Sequence, residues 1–219
     1  MTASPFDQSR YQLRFEWGVE GLRRLAPADV VIVVDVLRFS STITARVAVG
    51  ETVRHDASAR ALSRNGAAVA DAAGSGPVVL LGSLTNAAAV AQAVLAEQTR
   101  RGARTSVSVV AAGETVGDGA GGSLRFAVED QLGAGAVLGA IEALGIDHSS
   151  PEAAAASESF RGLRAAARHL LTASGSGQEL IERGARDEVL AAAQLDAVAS
   201  VPVLRDGVWV AYGPDLSGA

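Results

Sequence analysis

The sequence predicts an α/β protein in which a parallel or mixed sheet is covered by helices. Residues 30–36 form a continuous β-branched run, the mark of a strand buried on both faces. Similar short apolar runs alternate with Ala-rich helical stretches along most of the chain. Glycine and Ser/Thr punctuation separates the two kinds of segment.

Taken in order, residues 11–17 alternate as a strand that Gly18 ends, and residues 19–25 read as a short helix. After the strand at 30–36, Ser40 and Ser41 can cap a helix running to about Val49. Residues 53–56 are expected as a strand, 57–65 as a helix and 67–70 as a further strand. Turn chemistry at 73–77 leads into a strand at 78–81, and residues 86–101 are strongly helical with Gly102 as their stop. A buried-type strand at 105–111 precedes a glycine-rich loop at 113–123 and a helix at 129–144. The last third is mainly helical, over 151–171, 177–183 and 187–195. Strands at 201–204 and 208–211, joined at Asp206-Gly207, close it as a hairpin.

The 219 residues fit one α/β domain or two intimate lobes, and 48 % hydrophobic content with only 4 % aromatics calls for a core of small and β-branched side chains. The net charge of −5 and scattered cations argue against a nucleic-acid partner. With no cysteine, disulfides, thiolate metal sites and cysteine nucleophiles are excluded. All 19 basic residues are arginine, so Schiff-base chemistry and a P-loop lysine are excluded as well. Any phosphate must then be held by arginine, backbone N–H groups or a metal ion. The polar start, Met1 to Arg10, lacks the apolar core of a signal peptide, and no apolar run approaches a membrane span; the expectation is a cytoplasmic protein without a membrane partner. Its Ala/Val-rich helical surface admits a homodimer.

In open α/β sheets ligands gather beyond the carboxyl ends of the strands, which selects three stretches. Asp35 ends the most hydrophobic strand, where an unpaired carboxylate is costly; a hard cation or an arginine would relieve it. Arg38 can pair with Asp35 or point at an anionic substrate. Ser40, Ser41 and Thr42 open a helix whose N–H groups can hold a phosphate or simply be capped. Thr85 and Asn86 repeat that strand-to-helix layout, with capping the plainer reading. Glu129 and Asp130 begin a helix after the glycine loop, where helix-dipole stabilisation and magnesium ligation are both readings; Glu114 is a weaker candidate. Gly117, Gly119, Gly121 and Gly122 make no correctly spaced dinucleotide fingerprint, so a nicotinamide-dependent reductase rests on fold analogy alone. His55, His148 and His169 have no metal-ligand spacing, and His169 is expected on the surface.

These segments in this order resemble the 2-phosphosulfolactate phosphatase family (ComB-like). The matching residues are Arg14-Phe15-Glu16-Trp17-Gly18, Asp35-Val36-Leu37-Arg38, Ala111-Ala112-Gly113-Glu114, Ser123-Leu124-Arg125, Glu129-Asp130 and Gly133-Ala134-Gly135. Ser176-Gly177, Glu179-Leu180, Gly184, Asp187 and Val201-Pro202-Val203-Leu204 continue the series. The resemblance implies a three-layer α/β/α fold with a mixed, largely parallel sheet. It also implies Mg2+-dependent hydrolysis of a small acidic phosphoester, 2-phosphosulfolactate to sulfolactate and phosphate. On that resemblance Asp35, Glu129 and Asp130 are the metal-site positions, Arg38 faces substrate anions, and the loop at Gly113 supplies backbone donors. The chain departs from the family pattern in two places. It reads Thr85-Asn86-Ala87-Ala88 where the family carries Asn-Gly-Thr or Asn-Gly-Ser, and it lacks a Ser-Pro segment between Val69 and Val78. The alternative is therefore a non-catalytic relative that binds an anion or a protein partner.

Overall fold

A computed structural model describes residues 4–117 and 122–213; Gly119 and Gly121 of the glycine-rich loop lie outside these. The strands are β1 (Leu13–Trp17), β2 (Val30–Val34), β3 (Val53–Arg54), β4 (Val78–Gly82), β5 (Val107–Ala111), β6 (Glu114–Val116), β7 (Ser123–Arg125), β8 (Pro202–Arg205) and β9 (Val208–Ala211). The helices are α1 (Gly18–Arg24), α2 (Phe39–Ala48), α3 (Ala57–Arg60), α4 (Arg64–Ala73), α5 (Ala87–Arg101), α6 (Val128–Ala143), α7 (Pro151–Leu163), α8 (Ala167–Ala173), α9 (Gly175–Glu182) and α10 (Arg186–Ala192).

Seven strands form one sheet in the order β1-β5-β2-β4-β8-β9-β3. The first four are mutually parallel, and β8, β9 and β3 extend the sheet antiparallel. Strand β2 lies inside the parallel part, and its alternating side chains feed two separate cores. Val31 and Val33 pack with Phe39, Ile43 and Val47 of α2, Val69 of α4 and Val19 and Leu22 of α1. Val30, Ile32 and Val34 pack with Val90 and Val94 of α5, Leu138 and Ile141 of α6, and Leu171 of α8. One side chain in two therefore enters each helical layer, and the architecture is three-layer α/β/α with a mixed, largely parallel sheet.

Several expectations change in detail. Residues 67–70, expected as a strand, lie inside α4. The Ser63 hydroxyl accepts the Gly66 N–H (3.4 Å), and buried Gly66, Ala67, Val69 and Ala70 recur at helical rather than alternating spacing. Part of the glycine-rich loop is a two-stranded ribbon, with Glu114 opposite Arg125 and Val116 opposite Ser123. The long helix expected at 151–171 is broken by a 3-10 turn at Arg164–Ala166. The hairpin at Asp206-Gly207 holds, with φ of +46° and +73° at the two turn residues. Among the described residues no helix is long and apolar enough to cross a membrane.

Candidate active site

Strand β2 leads into α2 on one face of the sheet, whereas neighbouring β5 leads through the ribbon into α6 on the other. The chain thus diverges beyond the carboxyl ends of β2 and β5, the crevice where open α/β sheets bind ligands. Strand pairing ends at Val34 and Ala111; the Asp35 N–H then goes to the Ser40 hydroxyl and the Ala112 N–H to the Val34 carbonyl, which leaves the N–H groups of Val36 and Gly113 in need of other partners.

Asp130, in the first turn of α6, supplies them. Its carboxylate accepts the Val36 N–H (2.7 Å) and the Gly113 N–H (2.9 Å), one on each oxygen. Asp35 does the same for the other layer, accepting the Phe39 N–H (3.1 Å) and the Gly66 N–H (3.0 Å). A Cβ on Gly66 would stand 2.5 Å from the Asp35 Oδ2, so only glycine lets the α4 backbone approach this closely. Both aspartates are buried. Burial pushes Asp35 up to about 6, against hydrogen bonds from Ser63, Phe39 and Gly66, with the Glu114 charge adding to the rise. Burial, then the charges of Asp35 and Glu129, hold Asp130 well above the usual carboxylate range.

Glu129 is buried, and its Oε1 accepts the Ser176 hydroxyl at 2.5 Å. Ser176 also lies 3.2 Å from the Oε2 of Glu114. One hydroxyl proton serves two carboxylates, so the four acids form a single electrostatic group. Its Glu114 member lines a cleft of about 830 Å³ whose wall also includes Leu37 and Arg38, residues 60–65, Ser176, Glu179, Leu180, Arg183 and Glu188. Ser63 lines this cleft while hydrogen-bonding Asp35, so Asp35 sits one residue behind its wall. Glu129 borders a smaller cavity of about 260 Å³, and Ser176 lines both.

The remaining expected residues take other places. Arg38 lines the cleft but pairs with Glu188 of α10 at 2.7 Å, and no Arg38–Asp35 ion pair occurs among the described residues. Ser40 does not face a ligand. It is buried inside the first turn of α2, accepting the Asp35 N–H (3.0 Å) and donating to the Val33 carbonyl (3.1 Å). The Ser41 hydroxyl is buried without a hydrogen-bond partner among the described residues and caps nothing. Thr85 and Asn86 line no part of the cleft. Asn86 is buried, accepting the Ser83 N–H (2.9 Å) and donating to the carbonyls of Leu81 and Ser200 (both 3.2 Å); Thr85 shares a 2.8 Å hydrogen bond with Ser83. The cap is Ser83. Gly113 has its N–H committed to Asp130, and its carbonyl accepts the Asn65 amide at 2.9 Å, so it offers no free donor. His169 is exposed, as expected.

Sequence reasoning passed over Arg60, Ser63, Arg64, Asn65, Arg183 and Glu188, all on the cleft wall. Ser63-Arg64-Asn65-Gly66 carried a legible signal: a serine cap before an Ala-rich run.

Residues 52–207 match the family model of 2-phosphosulpholactate phosphatase, more than half of the chain. The chain belongs to the 2-phosphosulpholactate phosphatase family. No curated protein matches it. The family match takes in Ser63 to Gly66, Glu114, Glu129, Asp130, Ser176 and Arg183, whereas Asp35 and Arg38 precede it.

Magnesium suits the donor set in kind, since the group is made of carboxylate oxygens. Among the described residues, however, no three His, Cys, Asp or Glu side chains are gathered to hold a metal ion. Asp35 and Asp130 each accept only one N–H per oxygen and keep further lone pairs. Two carboxylates with waters and substrate oxygens is an ordinary magnesium shell.

Proposed function

We propose that this chain is a Mg2+-dependent phosphatase of small acidic phosphoesters, with 2-phosphosulfolactate, hydrolysed to sulfolactate and phosphate, as its best substrate. The observation that carries this reading is the arginine-walled cleft set one residue in front of buried Asp35, which lies beside buried Asp130 and raises its pKa at the β2/β5 divergence. Family membership supports the phosphatase class.

In this reading Asp35 and Asp130 would hold the ion, which neutralises phosphoryl charge and activates water when bound. Glu129, fixed by Ser176, adds negative charge beside them. The cleft arginines bind and orient the ester, Arg38 from the β2 side and Arg183 from just beyond the C-terminal end of α9. Asp35 retains its proton up to about pH 6. Above that it is an acceptor that can draw an ion into the crevice.

A second reading has one observation in its favour: every oxygen of Asp35 and Asp130 already binds a backbone N–H. A relative that binds anions without turnover would use the same carboxylates as structural clasps. Incubating the protein with Mg2+ and a panel of phosphoesters including 2-phosphosulfolactate, beside Asp35→Asn, separates the two. Phosphate release that needs both Mg2+ and Asp35, with the variant's near-ultraviolet circular dichroism unchanged, is expected. No release from any ester would leave the non-catalytic reading.

A further inference from the structure

The arginines of the cleft differ in what they already hold. Arg38 is paired with Glu188 at 2.7 Å, Arg60 with Asp71 at 3.0 Å, and Arg183 with Glu179 at 3.3 Å. Arg64 lines the same cleft and has no hydrogen-bond or ion-pair partner among the described residues. Its neighbours on the wall, Ser63 and Asn65, are both committed: Ser63 bonds Asp35, and the Asn65 side chain binds the Gly113 carbonyl and accepts from the Thr115 hydroxyl. The polar wall is thus fixed by internal bonds everywhere except at this guanidinium.

Helix stability does not account for Arg64. It is the first residue of α4, whose first turn carries no acidic residue, and a cation at that end opposes the helix dipole. In a chain of net charge −5, an unneutralised cation in a cleft marks where an anion is drawn. The guanidinium presents a planar fork that meets two oxygens of a carboxylate or sulfonate at once.

Resting on the phosphatase reading of the cleft, we propose that Arg64 determines specificity by holding the substrate's second anion, a sulfonate or carboxylate beside the phosphoryl group. Arg64 touches no reacting atom in this assignment. It sets which esters are bound, and its loss acts on KM rather than kcat.

The test uses sulfoacetate, which carries a sulfonate and a carboxylate but no ester, so binding is read independently of turnover. Isothermal titration of the wild type and Arg64→Gln with sulfoacetate, and with inorganic phosphate as the single-group control, is expected to show sulfoacetate weakened about tenfold or more with phosphate unchanged. Arg64→Lys should recover part of the loss, because the charge returns without the fork. The Arg64→Gln melting temperature should equal the wild type's, as no internal partner is removed. If the wild type hydrolyses esters, KM should rise for those with a second anion and stay level for ethyl phosphate. Equal sulfoacetate affinity in the two proteins, parallel loss of phosphate, or failure of the wild type to bind sulfoacetate would overturn the assignment. Absence of hydrolysis alone would count against the phosphatase reading and leave the Arg64 result legible.

Discussion

Two neighbouring strands end in the same way and are closed by opposite means. Beyond β4, Ser83, Thr85 and Asn86 satisfy one another and the backbone with neutral groups, all buried. Beyond β2, the same task falls to Asp35 and Asp130, whose carboxyl groups are pushed up in pKa by burial and by neighbouring charge, that of Glu114 on Asp35 and those of Asp35 and Glu129 on Asp130. A neutral amide does this work at lower cost, as the β4 end demonstrates. Charge at the β2 end is therefore a loss of stability that packing does not require, and it coincides with the cleft. Among strand ends of one sheet, the one that carries unnecessary charge is the one to suspect of chemistry.

The contrast is best broken from its neutral side. Asn86→Ala strips partners from the Ser83 N–H and the carbonyls of Leu81 and Ser200 with no electrostatic relief. It should cost about 3 kcal/mol in urea denaturation, equally at pH 5 and pH 8. Asp130→Ala also orphans two N–H groups, of Val36 and Gly113, but it removes a buried charge that repels Asp35. Its cost should be smaller at pH 8, about 1–2 kcal/mol, and larger at pH 5, where Asp35 is protonated and the repulsion between the pair is absent. Equal costs at both pH values would remove the electrostatic half of the comparison.

The pH dependence of the metal-free wild type sharpens it further. Asp35 has a folded value of about 6 against a usual value of 3.8. Between those values the native state holds more protons than the unfolded chain, so stability falls as pH rises through that window. Asp130 is raised as well and carries the decline higher. Asp7, Asp29, Asp56 and Asp71 are all lowered, so their opposite contribution is lost only as pH falls below the usual carboxylate value. Denaturation at pH 4.5 and pH 7.5 should differ by about 1–3 kcal/mol in favour of the acid side. Millimolar Mg2+ should flatten the slope; an unchanged slope would take the ion away from this pair. The smallest effect is expected on the cleft wall. Glu188→Gln breaks a half-exposed pair with Arg38 and should shift stability by under about 1 kcal/mol.

How much of this was legible in the sequence follows from which interactions side chains announce. The parallel strands could be read because strands buried on both faces must be apolar throughout, and the final hairpin because Asp206-Gly207 tolerates positive φ. Residues 67–70 misled because Ala and Val at short spacing suit a strand or a buried helix equally well; Ser63, the cap, was the discriminating residue. Asp35 and Asp130 stood out as carboxylates at strand and helix ends. Their partners did not, because Val36, Gly66 and Gly113 act through backbone N–H groups that every sequence contains. Arg60, Arg64 and Arg183 were invisible for another reason, since scattered exposed cations look alike until the fold puts them around one hollow.

The hydrogen bond between the Gly113 N–H and Asp130 has a consequence for how such a chain can change over time. It fastens the two feet of the ribbon excursion to each other at 2.9 Å, so the excursion leaves the end of β5 and reaches α6 through one clasped point. Sequence added or removed beyond Thr115 is then insulated from the parallel strands. New lids and rims can be tried there while the scaffold beneath keeps its register, which lets a family diversify what it accepts without refolding what holds it.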